Sequence, residues 1–177
     1  MDYTVTLHHF FTSPQHNYFT RPKFEVGEAP TLSHQKLRFT EGRGIEGDRF
    51  EESLYPVTFF SLEVAEAIDK AFGKEIDIKL YRRNIIISGV NLCELIGKQF
   101  FVGDVLFEGM AHCNPCTWMD AVIEKGTYRQ MKGRGGLRAK VIKGGTIMLG
   151  KATLQTATIL AKDPAEAMIL SRLPKGP

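Results

Sequence analysis

The sequence predicts a mainly β protein with a few helices, folded as a closed or nearly closed β-barrel. Many short runs alternate apolar and polar residues with the period of a half-buried strand, and glycine-containing turns separate them. Seventeen of the 177 residues are glycine, which exceeds the usual share of about 7% and suits a fold rich in turns. Because few helical segments lie between the strands, a barrel is favoured over a parallel α/β sheet.

The predicted strands are short and rich in β-branched or aromatic residues. Two pairs of them are separated by two residues that tolerate positive φ, Gly103-Asp104 and Gly144-Gly145, and each separation predicts a tight hairpin. The strands cover Tyr3–Leu7, Leu37–Phe39, Val57–Phe60, Ile76–Leu80, Ile85–Ser88, Gln99–Val102, Val105–Glu108, Val141–Lys143, Thr146–Leu149 and Leu154–Ile159.

Three segments have helical spacing of apolar residues and suitable end signals. They cover Leu62–Phe72 with Ser61 as N-cap and Gly73 as stop, Asn114–Gly126 with proline in the first turn, and Asp163–Leu173. The last of these forms a C-terminal helical tail over about residues 163–177. No linker or repeat interrupts the sequence, so residues 1–177 are expected to form a single domain.

Composition and charge fit a globular protein. Hydrophobic residues make up 43% of the chain and charged residues 24%, which are ordinary shares for a globular domain. The N-terminus has no basic and apolar signal segment, and no window approaches the roughly 18 apolar residues of a membrane span. We therefore expect a cytoplasmic protein that does not enter a membrane.

The net charge of +3 conceals a strongly basic segment, Lys125–Lys151. It holds eight lysines and arginines and no acidic residue, which leaves the rest of the chain at −5. Its glycine-rich part, Lys132–Arg138, could form a nest of backbone N–H groups for a phosphate, or the charges could form a solvated face. Nucleic acid is not the favoured partner, because only Tyr128 offers an aromatic ring among these charges.

Two further segments carry arginines in places suited to an anion. Arg43 and Arg49 lie in the glycine-spaced loop Glu41–Arg49, and Arg82-Arg83-Asn84 directly precedes an apolar strand. Paired guanidinium groups can clamp a carboxylate or phosphate through bidentate hydrogen bonds. Arginine pairs are also common on ordinary surfaces, so this pattern alone does not establish a site.

The segment His112–Cys116 contains two cysteines separated by Asn114 and Pro115. If a helix begins there, Cys116 lies in its first turn, where the helix dipole favours a thiolate that can bind a metal or attack an electrophile. The alternative is a pair of small buried side chains. A zinc site is disfavoured, because no second pair of ligands follows. Cys93 and four histidines show no such pattern and are interpreted as structural: His8, His9, His16 and His34.

Taken in order, several motifs resemble the MOSC domain, the C-terminal domain of molybdenum cofactor sulfurases that also occurs in the mitochondrial amidoxime reducing component and in small standalone bacterial proteins. The resemblance covers roughly residues 1–160. It rests on Gly44–Arg49, Tyr81–Ile85, Gly89–Leu92 with Leu95–Gly97, Phe101–Val105, Pro115-Cys116, Arg134–Ala139, and Gly144-Gly145 with Gly150.

This resemblance implies a mixed β-barrel that binds the molybdenum cofactor, a phosphorylated pterin dithiolene carrying Mo. It implies that Cys116 is the catalytic residue and the Mo ligand or sulfur-carrying group. The basic and polar candidates for binding the cofactor and its phosphate are Arg43, Arg49, Arg82, Arg83, Asn84, Arg134 and Arg138. A thiolate suits a soft metal, and arginine suits phosphate.

Three functions are compatible with these residues. The first is reduction of N-hydroxylated small molecules, with electrons from an external donor. The second is a sulfur or cofactor carrier that uses Cys116 and a molybdoenzyme or sulfurtransferase as partner. The alternative from another class is a thiol-disulfide oxidoreductase that uses Cys113 and Cys116. The chain departs from the family pattern at Phe50, where many members carry histidine, and Cys113 is an additional thiol.

Overall fold

The computed structural model describes residues 1–17 and 25–160. Within these ranges the chain forms ten strands. They are β1 (Asp2–Thr12), β2 (Leu32–His34), β3 (Lys36–Phe39), β4 (Val57–Ser61), β5 (Ile85–Ser88), β6 (Gln99–Val102), β7 (Val105–His112), β8 (Leu137–Lys143), β9 (Gly145–Met148) and β10 (Gly150–Thr156).

Seven strands close into a mixed barrel, which confirms the predicted fold class. The order is β10-β6-β7-β8-β4-β5-β1, and β1 pairs with β10 to close the sheet. The β4–β5 pair is parallel and the other pairs are antiparallel. Strand β2 extends β1 at its end, whereas β3 and β9 form a separate two-stranded sheet.

The barrel interior is filled by aromatic and branched side chains, as expected for a small barrel. Phe59 lies at its centre, with ring centroids 5.7 Å from Phe100 and 5.2 Å from Phe107. Phe39 packs edge-on to Phe107 at 5.2 Å and connects the two-stranded sheet to this cluster. These four rings are almost completely buried, so the interior is a packed core and any ligand site must lie outside it.

The helix predicted after β4 is present with the predicted ends. Helix α1 covers Leu62–Phe72, the Ser61 hydroxyl accepts the N–H of Val64, and Gly73 ends the helix in the left-handed conformation. Among the residues that the structure describes, the other helices are short: α2 (Trp118–Val122), α3 (Thr127–Met131) and two 3₁₀ helices, Ile78–Tyr81 and Leu92–Leu95. No helix in residues 1–17 or 25–160 is long and apolar enough to cross a membrane.

The single long helix predicted over Asn114–Gly126 is wrong. The N–H of Cys113 donates to the carbonyl of Gly136 at 2.8 Å and keeps the chain extended beyond β7. Gly126, the predicted terminator, instead precedes α3 with φ of 102°. The Asp120 carboxylate accepts the N–H of Tyr128 at 2.7 Å, so the chain turns where one helix was expected to continue.

The strand predicted over Ile76–Leu80 is also wrong, because its alternating pattern belongs to a 3₁₀ turn. The Asp77 carboxylate accepts the N–H of Lys79 at 3.0 Å and caps the helix Ile78–Tyr81. The alternating apolar residues Ile76, Ile78 and Leu80 pack against the core from this turn rather than from a strand.

The two predicted hairpins have different outcomes. Gly103-Asp104 joins β6 to β7 as predicted, with Val102 opposite Val105. The hairpin at Gly144-Gly145 is wrong, since β9 pairs with β3 rather than with β8. A Cβ on Gly144 would lie 2.6 Å from the carbonyl oxygen of Phe39, so this glycine allows the chain to cross closely over the end of β3.

Several strand ends also differ from the prediction. Strand β1 continues to Thr12, β7 to His112, and β8 begins at Leu137, while β10 covers Gly150–Thr156 instead of Leu154–Ile159. Barrel pairing extends these strands past the local alternating pattern. The predicted C-terminal helix lies outside the described residues.

Candidate functional site

A cleft of about 250 Å³ lies beside the chain segments that leave β1 and β7 and those that enter β4 and β5. Cationic side chains, two cysteines and several apolar groups line it. The lining residues are His16, Asn17, Arg49, Phe50, Thr58, Arg82, Arg83, Cys113, Asn114, Pro115, Cys116, Trp118, Met119 and Arg138. The cleft therefore gathers residues that are far apart in the sequence.

Arg82 is held rigidly and uses its terminal N–H groups on the protein. One terminal nitrogen donates to the carbonyl of Ala29 at 3.1 Å and to the hydroxyl of Thr31 at 3.2 Å. The other donates to the hydroxyl of Ser13 at 2.8 Å and to the carbonyl of Gln15 at 3.0 Å. Burial lowers the pKa of Arg82 to about 10, so the group remains charged at neutral pH.

The backbone of Arg82 has φ of 52°, which is the left-handed region and rare for a residue with a side chain. This residue ends the 3₁₀ helix Ile78–Tyr81, and its N–H donates to the carbonyl of Lys79 at 3.0 Å. The four side-chain hydrogen bonds of Arg82 stabilise this unusual turn and direct the chain into β5.

Arg83 braces the loop that carries the cysteines. Its Nε donates to the carbonyl of Gly135 at 3.0 Å, and its terminal nitrogens donate to the carbonyls of Tyr81 at 2.8 Å and Cys113 at 3.4 Å. The side chain still lines the cleft, with one N–H on each terminal nitrogen left for a ligand. Arg83 therefore fixes the position of Cys113 and contributes positive charge.

Arg49 and Arg138 are placed differently, against the ring of Phe50. The guanidinium carbons lie 4.6 and 5.0 Å from the ring centroid. Arg138 makes one long hydrogen bond, 3.5 Å to the carbonyl of Tyr55. Arg49 makes two, to the carbonyl of Arg82 at 3.2 Å and to the carboxylate of Asp48 at 3.4 Å. Most of their N–H groups are left for an anion in the cleft.

Asp48 is the carboxylate that positions Arg49. Its side chain is completely buried and lies 3.4 Å from a terminal nitrogen of Arg49. The carboxylate also accepts the N–H groups of Ser13 at 2.9 Å and Phe50 at 3.0 Å. It does not line the cleft, so the four guanidinium groups leave the cleft with a net positive charge.

The two cysteines near the cleft differ in exposure. Cys113 is 3% exposed and Cys116 is half-buried, and neither forms a disulfide. The carbonyl of Cys116 accepts the N–H of Met119 at 3.0 Å, but α2 begins only at Trp118 and is five residues long. The predicted stabilisation of a thiolate by a long helix is therefore absent, and the positive charge near the thiol comes from the arginines.

The three remaining predicted binding residues lie away from the cleft. Arg43 is half-exposed and forms ion pairs with Glu51 at 3.2 Å and Glu52 at 2.7 Å. Asn84 is buried between strands, where its side chain bonds the hydroxyl of Thr58 and the carbonyl of Phe11. These contacts hold the barrel end together and leave neither side chain in the cleft.

The same holds for most of the basic segment. Arg134 is buried and donates to the carbonyl and side-chain oxygens of Gln130 at 2.5 and 2.9 Å. A Cβ on Gly135 would lie 2.4 Å from the carbonyl oxygen of Cys113, and one on Gly136 would lie 2.1 Å from that of Phe59. These two glycines are thus required for close packing, and Arg138 is the cation of this segment that lines the cleft.

Sequence reasoning missed His16, which was interpreted as structural. Its ring packs edge-on to Phe50 with centroids 4.5 Å apart. Burial, together with the charges of Arg49, Arg82 and Arg138, lowers the pKa of His16, although Asp48 opposes this shift. No local spacing signals this residue, because β1 and the segment Gly47–Phe50, here called the Asp48 loop, bring it to the cleft. Asn17, Thr58, Trp118 and Met119 were missed for the same reason.

Comparison with solved structures supports the fold. The YuaD protein from Bacillus subtilis has a TM-score of 0.69 at 17% identity, over 87% of this chain and 96% of that chain. YiiM from Escherichia coli has a TM-score of 0.63 at 18% identity, over 99% and 80%. YiiM from Geobacillus stearothermophilus has a TM-score of 0.62 at 13% identity, over 87% and 75%.

The family model of the MOSC domain matches residues 47–153. None of the curated proteins compared with the chain matches it in sequence. The family match includes the Asp48 loop, both cleft cysteines and Arg138, and it covers more than half of the 177 residues. The chain therefore belongs to the MOSC domain family.

Proposed function

We propose that this protein binds the molybdenum cofactor in the cleft and reduces N-hydroxylated small molecules there. The observation that carries the proposal is the convergence of four arginines and the half-buried thiol of Cys116 on one cavity. Membership of the MOSC family supports the choice of cofactor.

The residues of the cleft fit this group chemically. Guanidinium groups bind phosphate oxygens, and a thiolate is a preferred ligand of a soft metal centre. Arg49 and Arg138 have N–H groups left to bind the phosphate, and Cys116 is the more exposed of the two thiols near the cleft. When bound, the cofactor would supply two-electron transfer and accept an oxygen atom.

The overall reaction converts an N–OH group to N–H and releases water, and it consumes two electrons and two protons. The electrons come from an external donor. Within the cleft, the arginines orient the oxygen-bearing group of the substrate. The imidazole of His16, whose pKa is lowered by burial and by the neighbouring arginines, is a base that can accept a proton and pass it on. Apolar lining from Phe50 and Met119 limits water access.

The half-exposed position of Cys116 also supports a carrier role. In that role the thiol holds a sulfane sulfur or the cofactor and passes it to a molybdoenzyme or receives it from a sulfurtransferase. Both roles need Cys116 as a reduced thiol, which agrees with the cytoplasmic location that we propose. They differ in turnover, because a carrier consumes no N-hydroxylated substrate.

A thiol-disulfide oxidoreductase is the alternative, since Cys113 and Cys116 line the same cleft. Two observations disfavour it: the Cys113 thiol is 3% exposed, and no helix begins at the motif. Reduction of insulin disulfides separates this alternative from the proposal.

The proposal is tested by producing the protein in a host that makes the cofactor and measuring Mo and released pterin per chain. We expect both, and we expect Cys116→Ala to lose Mo while Cys113→Ala retains it. The wild type should then reduce benzohydroxamic acid with an artificial electron donor. Absence of Mo and pterin contradicts the proposal, whereas their presence without turnover favours the carrier role.

A further inference from the structure

A thiol and an imidazole meet outside the cleft, at Cys93 and His112. The Sγ of Cys93 lies 3.6 Å from Nδ1 of His112, which is within hydrogen-bonding distance for a sulfur atom. The two residues are 19 positions apart in the sequence, so no local spacing signals the pair. Neither of them lines the cationic cleft, and the proposed function makes no use of this thiol.

The fold brings the pair together because the 3₁₀ helix Leu92–Leu95 packs on β7. A Cβ on Gly109 of β7 would overlap the carbonyl oxygen of Leu95, so this glycine lets the short helix lie close to the strand. The side-chain oxygen of Asn91 accepts the N–H of Cys93 at 3.1 Å and fixes the turn that carries the thiol. The position of the thiol beside the end of β7 is therefore set by packing and by a cap.

The direction of the imidazole follows from the extended backbone at the end of β7. His112 is the last residue of this strand, and Cys113 follows it. Successive side chains of an extended chain point to opposite faces. Cys113 therefore lines the cleft, whereas His112 points away from the cleft and toward Cys93.

The imidazole is placed to take the proton of the thiol. Burial lowers the pKa of His112, so the ring is neutral at pH 7 and one of its nitrogens can accept a proton. A thiol becomes a strong nucleophile as it loses its proton, and a base within hydrogen-bond reach can take that proton during the attack. Neither Cys113 nor Cys116 has an imidazole bonded to its sulfur within the part of the chain that the structure describes.

The surroundings of the pair limit the size of the molecule that can react there. Cys93 is half-buried and packs against the hydrophobic core, and His112 is half-buried as well. The carbonyl oxygen of Gly133 lies 3.9 Å from the sulfur and closes another side. A bulky electrophile would have to displace these groups, whereas hydrogen peroxide is only slightly larger than a water molecule. The site therefore favours a small peroxide.

We propose that Cys93 is a modification site, which hydrogen peroxide or a small organic hydroperoxide oxidises to the sulfenic acid with His112 as the base. The sulfur of Cys93 attacks one peroxide oxygen, so that an S–O bond forms and the O–O bond breaks. The imidazole takes the thiol proton and passes it to the leaving hydroxide or alkoxide, which becomes water or an alcohol. The sulfur is oxidised by two electrons, and the peroxide is reduced by the same two.

The test measures sulfenic acid formation in the full chain as purified, with dimedone as the trap and peptide mass spectrometry to locate it. The reference is the isolated peptide Ser88–Lys98, which has the same local sequence and lacks the imidazole. With limiting hydrogen peroxide at pH 7, we expect Cys93 to be trapped at least about tenfold faster in the protein than in the peptide. An equal or slower rate in the protein would overturn the inference. The result does not depend on the Mo content, because neither residue of the pair lines the cleft.

Two variants remove the base, His112→Asn and His112→Gln. In each, we expect trapping at Cys93 to slow by at least about tenfold while trapping at Cys116 is unchanged. The matched control is His8→Asn, which removes another half-buried histidine whose ring is hydrogen-bonded to the hydroxyl of Ser88 at 2.7 Å. It should retain the wild-type rate at Cys93. An unchanged rate in a folded His112 variant overturns the inference, and the comparison with the peptide decides it if neither variant folds.

Discussion

The cleft contains two pairs of arginines that have the same charge but differ in how many of their N–H groups are bonded to the protein. Arg82 and Arg83 donate most of their N–H groups to backbone carbonyls and hydroxyls of the protein. Arg49 and Arg138 lie against the ring of Phe50 and keep most of their N–H groups for a ligand. The first pair therefore holds the walls of the site, and the second pair is placed to bind what enters it.

This difference shows that a cationic residue can line a cavity without binding the ligand. A guanidinium group has five N–H donors, and how many the protein itself uses decides how many a ligand can receive. Variants of the two pairs should accordingly separate loss of stability from loss of anion affinity.

The largest expected effect is on stability, in Arg82→Ala. The substitution removes four hydrogen bonds, to the hydroxyls of Ser13 and Thr31 and the carbonyls of Gln15 and Ala29, and puts alanine at a φ of 52°. We expect the free energy of unfolding to fall by about 3 kcal/mol, measured by urea denaturation. The exposed control Arg43→Ala should cost about 0.5 kcal/mol. Equal costs would show that the hydrogen bonds of Arg82 do not hold the walls of the site.

Asp48→Asn should have the next largest effect. The two carboxylate oxygens accept the backbone N–H groups of Ser13 and Phe50, one each. Asparagine has only one side-chain oxygen, so its NH₂ group would face one of these two N–H donors. We expect a loss of about 2 kcal/mol in the free energy of unfolding, together with weaker anion binding through Arg49. Asp104→Asn, in the exposed turn between β6 and β7, is the control and should be nearly neutral.

Arg138→Ala tests the ligand-binding pair. Within the part of the chain that the structure describes, Arg138 makes one long hydrogen bond. We therefore expect little change in stability but about a tenfold loss of sulfate affinity in cofactor-free protein. The control is Lys140→Ala, two residues further along β8 and outside the cleft. Isothermal titration calorimetry measures the sulfate affinity of both variants. Equal losses of affinity in Arg138→Ala and Lys140→Ala would contradict a specific role for Arg138.

The smallest expected effect is a pH dependence through His16. Burial lowers the pKa of His16 below 6.5, so the folded protein favours the neutral ring. The folded state therefore loses stability relative to the unfolded state as the pH falls below 6.5 and the ring becomes protonated. Protonation adds a positive charge to the cleft. Sulfate, which stays a dianion here, should therefore bind roughly threefold more tightly at pH 5.5 than at pH 7.5. His16→Gln should flatten this dependence, and an unchanged profile would exclude His16 as its source.

The sequence predicts the barrel well because strand alternation and turn glycines are local signals. Strands β5 and β6 and helix α1 have their predicted ends. The errors occur where tertiary contacts decide the outcome. The hydrogen bond from the N–H of Cys113 to the carbonyl of Gly136 keeps the chain extended where a helix was predicted. Strand β9 pairs with β3, whereas the sequence predicted a hairpin with β8.

The site is less predictable for the same reason. Arg49, Arg82, Arg83, Arg138 and Cys116 line one cleft, but which of their N–H groups are already bonded depends on loops distant in sequence. His16 carries no spacing signal, since it reaches the cleft only through the fold of β1 against the Asp48 loop. Gly135 and Gly136 of the basic segment, which suggested an anion nest, also allow close packing against Cys113 and Phe59, and local sequence does not signal this packing.

The central claim is that Cys116 binds the metal of a cofactor held in the arginine-lined cleft. The most direct measurement is X-ray absorption at the Mo edge of wild type, Cys116→Ser and Cys113→Ser, each produced in a host that makes the cofactor. The hydroxyl of serine can still bind Mo where alanine cannot, so we predict that Cys116→Ser retains Mo with one fewer sulfur neighbour and that Cys113→Ser matches wild type. An unchanged sulfur shell in Cys116→Ser, or the loss of a sulfur neighbour in Cys113→Ser instead, would contradict the claim.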